Sequence, residues 1–323
     1  MIYLTDYIKN FTIEKKIIKN NLVTYKDKKF NASKIKVILV WHEIINKVFL
    51  KKFPNVKAVI RYGVGYDNID LVYLKKKKII FCNNPDYGVE EVANTAFSMG
   101  VSLLRKIYQY DFLSKKILKN TKNSWQENII SNTQRISNLN VGVIGAGRIG
   151  SSFIFKAKSF FKNVLIYDPY LPAGYEKIFN SKKFTNINDL IKQSDLITIH
   201  TPLNNETRSI INHENIKYIK KGAVVVNTSR GGIIENIDIF YEKLINNHLG
   251  GLGLDVLAEE PPVIENSKIL KLWIENDKRV AGKVIINPHV SYYSKESYKE
   301  MRVKVAIIAN EALLKKKFSN RII

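Results

Sequence analysis

The stretch Leu139–Asp168, LNVGVIGAGRIGSSFIFKAKSFFKNVLIYD, limits what this 323-residue chain can fold into more than any other. Val141, Val143 and Ile144 end an apolar run of the kind that forms a buried parallel strand. Gly145, Gly147 and Gly150 follow, spaced G-x-G-x-x-G. An amphipathic run comes next (Phe153, Ala157, Phe160, Phe161), and then a second apolar strand, Val164 to Tyr167, closed by Asp168. Strand, glycine turn, helix, strand and acid in this order describe a dinucleotide site. Gly145 permits the tight turn, Gly147 lets the backbone approach a pyrophosphate, and Gly150 lets helix and strand pack closely. Arg148 and Ile149 open the helix, whose N-terminal N–H groups and dipole favour an anion. The Asp168 carboxylate can accept hydrogen bonds from ribose hydroxyls. Its charge would repel a 2′-phosphate, which argues for NAD over NADP.

The length suggests two domains with a sizeable core, and 45% hydrophobic with 25% charged residues is ordinary for a globular enzyme. No apolar run approaches the ~20 residues that span a bilayer. The opening Met1–Asp6 turns polar too early for a signal peptide. The single Cys82 excludes an internal disulfide and fits a reducing cytoplasm. The net charge of +23 raises the question of nucleic acid or a membrane surface. The lysines are spread along the chain, however, with short clusters only at Lys75–Lys78 and Lys315–Lys317. Solvated basic faces are the expectation, with no nucleic-acid or membrane partner.

Residues 1 to about 98 alternate between strand and helix patterns. Ile2–Thr5, Lys36–Val40 and Ala58–Ile60 read as strands, and Phe11–Lys19 as an amphipathic helix. Such alternation implies a parallel α/β sheet. The glycines of Arg61-Tyr62-Gly63-Val64-Gly65 can present N–H groups to a carboxylate, although from this stretch alone a plain glycine turn is the better reading. Phe81–Pro85 is a strand running into a turn. Val89–Tyr108 is a helical pattern long enough to pass from one domain into another.

Residues 99 to about 292 hold the glycine stretch and four further strands, Leu196–Ile199, Ala223–Val226, Leu252–Val256 and Val284–Ile286. They end in His200-Thr201-Pro202, in Asn227-Thr228-Ser229-Arg230-Gly231-Gly232, in Asp255, and in Asn287-Pro288-His289. Ligands of doubly wound sheets bind outside the carboxyl ends of the strands, which places Arg230, Asp255 and His289 on the rim of the glycine turn. The tail Ser294–Ile323 reads as a helix that returns to the first domain.

Arg230, in a glycine-flanked turn after a buried strand, can grip a carboxylate at two points and polarise an adjacent carbonyl. His289 is the natural group to give or take one proton near neutral pH. Glu260 or its neighbour Glu259 would favour the imidazolium by hydrogen bonding, and spacing does not choose between them. Among the other histidines, His42 lies among apolar residues and reads as structural, while His213 and His248 read as exposed. His200 is equally readable as a structural residue or a cofactor contact. No Cys/His spacing suggests a metal.

Eight stretches now carry a resemblance: RYGVGYDNIDL (61–71), CNNPDYGVEEVAN (82–94), VGVIGAGRIG (141–150), IYDPYL (166–171), HTPLNNETRSIIN (200–212), VNTSRGGIIE (226–235), GLGLDVLAEEPP (251–262) and INPHVSYYSKES (286–297). Along almost its full length the chain resembles the D-isomer-specific 2-hydroxyacid dehydrogenase family, in the branch similar to C-terminal-binding proteins. The resemblance implies an α/β fold of two Rossmann-like domains. A flavodoxin-like substrate domain would comprise residues 1–98 and 293–323, and a doubly wound NAD-binding domain residues 99–292, with the active site in the cleft and a homodimer as the assembly. It implies hydride exchange between NAD(H) and a small 2-oxo or 2-hydroxy acid. Arg230 would bind the substrate, and Glu260 would partner His289, the acid/base. Arg61, Val64 and Gly65 match positions for the substrate carboxylate, and Tyr292 lies in the substrate pocket. Gly145, Gly147, Arg148, Ile149, Gly150, Asp168, Thr201, Pro202, Thr228, Ser229 and Asp255 match cofactor contacts.

The chain departs from the family at Asn94, where an acid is commoner, and at Tyr292, which is Trp in C-terminal-binding proteins. The segment 263–283 is longer than in many members. The alternative reading is an NAD(H)-sensing scaffold or corepressor with little turnover, and the intact Arg230, Glu260 and His289 favour the enzyme.

Overall fold

The computed structural model describes residues 1–5, 8–119, 125–126, 128–314 and 317–323. Asp6 of the N-terminal segment and Lys315 and Lys316 of the second lysine cluster lie outside the described residues. The chain divides into two compact units, Met1–Gly88 with Tyr292–Ile323, and Val89–Ser291.

The first unit is built on five parallel strands, β1 (Ile2–Leu4), β2 (Leu22–Thr24), β3 (Val37–Val40), β4 (Ala58–Arg61) and β5 (Ile80–Cys82), in the order β2-β1-β3-β4-β5. This is the flavodoxin-like order. Every residue of β3 is buried, as a strand covered on both faces must be. On one face Ile2, Leu4, Leu39 and Ile60 pack with Met301, Val305 and Ala309 of the helix Lys295–Leu314. On the other, Ile38, Val40, Val59 and Phe81 pack with Leu50, Phe53 and Leu74. Arg302 of the C-terminal helix is buried in an ion pair with Glu14, which also accepts from the Tyr62 hydroxyl at 3.2 Å. The last residues run antiparallel beside β5, where the Ile322 N–H donates to the Phe81 carbonyl at 2.8 Å.

The second unit carries seven parallel strands, β6 (Asn140–Ile144), β7 (Asn163–Tyr167), β8 (Lys182–Phe184), β9 (Leu196–Ile199), β10 (Val224–Asn227), β11 (Gly251–Leu254) and β12 (Val284–Ile286). Their order is β12-β11-β10-β9-β6-β7-β8, the doubly wound arrangement with its switch point between β6 and β9. Strands β9, β10 and β11 are buried throughout and read as continuous apolar runs.

The helix predicted over Val89–Tyr108 is two. The first spans Val89–Leu104, and Lys106 then takes a left-handed conformation (φ 56°) before a second helix, Ile107–Leu118. Such a residue cannot continue a right-handed helix. Val92, Ala96, Met99 and Leu103 of the first helix are buried, and Met99 and Leu103 join the core that contains Val224 and Val226. The helix belongs as a whole to the second unit, so the division falls at its start and not within it, where the sequence-based boundary after residue 98 had placed it.

Candidate functional site

Beyond the carboxyl ends of β6 and β9, at the switch point, lies the glycine turn. Gly145 takes φ 89°, a conformation that costs glycine nothing, and donates its N–H to the Tyr167 carbonyl at 2.9 Å. A Cβ on Gly150 would lie 2.0 Å from the Gly145 carbonyl oxygen, so the helix Arg148–Ala157 begins directly against the turn. Gly147 differs from both. It is the N-cap of that helix, no side chain caps it, and no atom lies within 4 Å of where its Cβ would be. Arg148 is exposed beside this open space, and Ile149 packs inward. Asp168 accepts from the Ala146 N–H and from the Tyr170 N–H, both at 2.9 Å, which joins the end of β7 to the glycine turn.

Thr201 follows β9 and Thr228 follows β10. Both hydroxyl oxygens are buried, and neither makes a hydrogen bond among the described residues. Buried polar atoms are nearly always partnered, so two orphan hydroxyls on this rim fit a group that binds there. The open Gly147 position and the uncapped helix end fit the same group, a dinucleotide. Pro202 is exposed next to Thr201. Ser229 is used internally, its hydroxyl donating to the Ile199 carbonyl at 2.8 Å.

His200 is buried, with its ring against Phe153 and its Nε2 3.0 Å from the Thr198 hydroxyl. Burial pushes its pKa down to about 3, so it stays neutral and is not an acid catalyst at neutral pH.

The ends of β10, β11 and β12 hold the titratable set. His289 Nδ1 lies 2.7 Å from Glu260 Oε2, and Glu260 Oε1 accepts from the Leu257 N–H at 2.9 Å. Glu260, and not Glu259, therefore partners the histidine. Burial alone would raise the Glu260 carboxyl. The His289 hydrogen bond and charge, the Leu257 N–H and the Arg230 charge outweigh it and hold the group below its ordinary value. His289 itself sits at φ 55°, a conformation uncommon outside glycine.

Asp255 fixes that turn. Its carbonyl accepts from the His289 N–H at 2.8 Å, and its carboxylate from the N–H groups of Val290 at 3.0 Å and Ser291 at 3.1 Å. Asp255 is buried, and burial raises its carboxyl despite these bonds.

Arg230 donates from Nη1 to the Ser229 carbonyl at 2.8 Å. Asn227 shapes the loop, since its side chain accepts from the Ser229 N–H at 3.0 Å and donates to the Arg230 carbonyl at 2.9 Å. A Cβ on Gly231 would lie 2.0 Å from the backbone carbon of Leu257, so the arginine loop lies against the segment that leads to Glu260.

In the first unit, Arg61 ends β4, and its Nε donates to Asn68 Oδ1 at 2.8 Å. Val64 is exposed, and its carbonyl accepts from Asn83 at 2.8 Å, while Gly65 is half-buried in the same loop. Tyr292 meets Trp41 edge-on at 6.1 Å and Tyr87 at 6.1 Å. His42 is exposed and stacks on Trp41 at 5.1 Å, contrary to the structural role its apolar neighbours suggested. β3 stops at Val40, so Trp41 turns inward and the next side chain turns out. His213 is exposed and pairs with Glu235, and His248 is half-buried on the Ile219 carbonyl at 2.8 Å.

The sequence reading missed Asn68, Asn227 and the turn-holding role of Asp255. Asn227 had a signal, a polar residue directly after an apolar strand. Asn68 had none beyond its loop. Among the described residues there is no group of His, Cys, Asp and Glu suited to a metal, and no helix long and apolar enough to cross a membrane.

A doubly wound sheet with an open glycine turn at its switch point and a His–Glu pair on the same rim defines a dinucleotide-dependent α/β protein. The chain belongs to the D-isomer specific 2-hydroxyacid dehydrogenase family, whose NAD binding domain matches residues 97–291. NAD is its cofactor.

D-3-phosphoglycerate dehydrogenase of Methanocaldococcus jannaschii is 32% identical over 262 residues, covering 81% of this chain and 46% of that one. C-terminal-binding protein 1 of Caenorhabditis elegans is 29% identical over 275 residues, covering 83% and 36%. The chain thus spans less than half the length of these curated relatives. Among solved structures, D-lactate dehydrogenase from Aquifex aeolicus, complexed with NAD and lactic acid, matches with a TM-score of 0.80 at 28% identity, covering 98% and 96% of the two chains. A glyoxylate reductase from Paecilomyes thermophila shares the fold at a TM-score of 0.82 and 22% identity, covering 100% and 98%.

Proposed function

We propose that this protein is an NAD-dependent oxidoreductase that interconverts a small 2-oxo acid and its D-2-hydroxy acid. The observation that carries the reading is the His289–Glu260 contact at 2.7 Å, beside the loop of Arg230. When bound, NAD(H) supplies or removes the hydride at substrate C2. His289 gives the proton to the carbonyl oxygen in reduction and takes it back from the hydroxyl in oxidation. Glu260 holds the imidazole by Nδ1, which leaves Nε2 to face the substrate oxygen. Arg230 binds the carboxylate and polarises the carbonyl. Arg61, Val64, Gly65 and Tyr292 of the first unit are the positions that the family resemblance gives to substrate contacts.

On the cofactor, Thr201 and Thr228 would supply hydroxyls, Asp168 the ribose contact, and the helix start at Gly147–Gly150 the pyrophosphate contact, with Pro202, Ser229 and Asp255 lining the rim. The working form is a cytoplasmic homodimer, as the family resemblance implies, and the single buried cysteine fits a reducing compartment.

NADH oxidation with glyoxylate, pyruvate, hydroxypyruvate and bulkier 2-oxo acids tests the assignment. Turnover of at least one supports it. Tight NADH binding without any turnover would overturn it and favour an NADH-sensing scaffold.

A further inference from the structure

Strand β6, which carries the glycine turn, lies between β7 and β9, and a side-chain contact joins the loops that follow these two neighbours. The loop after β7 begins at Asp168, whose Oδ1 accepts from the Tyr170 N–H and whose Oδ2 accepts from the Ala146 N–H, both at 2.9 Å. The Tyr170 hydroxyl reaches across and donates to Glu206 Oε2. That bond raises the Tyr170 pKa, so the phenol stays a donor at neutral pH.

The loop that carries Glu206 is stiff. Asn204 Oδ1 accepts from the N–H groups of Glu206 at 2.9 Å and Thr207 at 3.0 Å, and the Thr207 hydroxyl donates to the Pro202 carbonyl at 2.6 Å. The same loop starts at Thr201, whose buried hydroxyl makes no hydrogen bond among the described residues. Asp168 and Glu206 thus stand at the two ends of one tyrosine, on the two loops that flank the glycine turn.

From this geometry we infer that Glu206, held by Tyr170, is a second coenzyme-selecting carboxylate, which adds to Asp168 in excluding a ribose 2′-phosphate. The inference rests on the reading of Asp168 as the ribose contact. A 2′-phosphate carries close to two negative charges at neutral pH. Placed at Asp168, it would stand about one tyrosine length from Glu206, inside the ~10 Å over which charges interact at 0.1 M salt. NADH has a hydroxyl at that position and meets no such repulsion. A cation able to offset it is Lys183, whose Nζ donates to the Leu171 carbonyl at 2.9 Å in the loop after β7.

Glu206→Gln tests the charge alone, because the amide oxygen can still accept from Tyr170. Dissociation constants of NADH and NADPH are read by fluorescence titration without substrate, at about 0.01 M and about 1 M salt. The parent protein should bind NADH more tightly than NADPH. At the lower salt Glu206→Gln should tighten NADPH binding roughly three- to fivefold and leave NADH within about twofold. At the higher salt the gain should vanish. Tyr170→Phe, which releases the carboxylate, should give part of the same gain and add nothing to Glu206→Gln. Both side chains are exposed, so neither substitution endangers the fold.

Equal changes for the two coenzymes, no change for either, or a gain that survives high salt would overturn the inference. So would a parent protein that binds NADPH as tightly as NADH, with the charges already offset by Lys183. Asp168→Asn separates the inference from the reading beneath it. If that variant gains no NADPH affinity, Asp168 is not the ribose contact and the inference falls with it, while NADH binding retained there would leave the dinucleotide site standing.

Discussion

Two glycines of this protein would meet an added methyl group at nearly the same distance and with opposite consequences. At Gly231 the Cβ would lie 2.0 Å from the backbone carbon of Leu257, and at Gly63 it would lie 2.3 Å from the tip of Arg61. Backbone cannot step aside, whereas a guanidinium can. The difference extends to the groups around each glycine. In the second unit the proposed reactive set has main-chain as well as side-chain anchors: the His289 N–H donates to the Asp255 carbonyl, Glu260 accepts from the Leu257 N–H, and the arginine loop lies in direct backbone contact with Leu257. In the first unit the Arg61 Nε donates to a side-chain amide. A group set by main chain keeps its place when a neighbouring side chain changes. A group set by a side chain can be retuned by one substitution.

The largest expected effect lies in the second unit's set. His289→Ala should lower kcat by roughly 10²–10⁴-fold, the usual scale of acid–base catalysis, with NADH affinity and Tm unchanged. Unchanged turnover would remove His289 from the chemistry.

Gly231→Ala comes next, with overpacking that lowers Tm by roughly 2–12 °C, while Gly63→Ala should stay within about 2 °C of the parent. Equal thermal shifts in calorimetry would break the contrast between the two glycines.

Gly147 is a third case, since an added methyl group there meets nothing. Gly147→Ala should leave Tm alone and weaken NADH binding by roughly tenfold, because the space is needed by the ligand and not by the fold. Unaltered affinity, read by NADH fluorescence titration, would mean the dinucleotide does not pass over Gly147.

The smallest effect concerns pH. His200 is neutral when folded, its pKa held at about 3 by burial against an ordinary 6.5. Below pH 6.5 the unfolded chain binds the extra proton, so stability falls with falling pH until the folded imidazole also protonates near 3. His200→Gln should therefore lose less Tm between pH 7.5 and pH 5 than the parent protein does. An equal loss would place the acid sensitivity elsewhere.

Much of the frame was legible in order along the chain. The glycine turn, the apolar strands β9 and β12, and the polar residues at strand ends all follow from local patterns. The edge strands β2 and β8 were not, since three residues such as Lys182-Lys183-Phe184 on a sheet margin carry no apolar run. The break at Lys106 was equally hidden, because the apolar spacing of Val89–Tyr108 continues through it. Spacing also left Glu259 and Glu260 level, and the contact with His289 chose between them.

By itself the sequence determined the class of fold, the dinucleotide turn and the identity of the groups able to move a proton or grip a carboxylate. These depend on backbone sterics and side-chain chemistry within a few residues. Tertiary structure alone decided which side chains hold those groups. Register aligns Val40 with Arg61, which brings the residues after β3 beside the loop after β4 and gives Asn68 its partners. Register likewise aligns Leu254 with Ile286, which sets Asp255 against the His289 turn. Neither pairing is written in any local pattern, because parallel neighbours are joined only through a long crossover whose packing fixes the alignment.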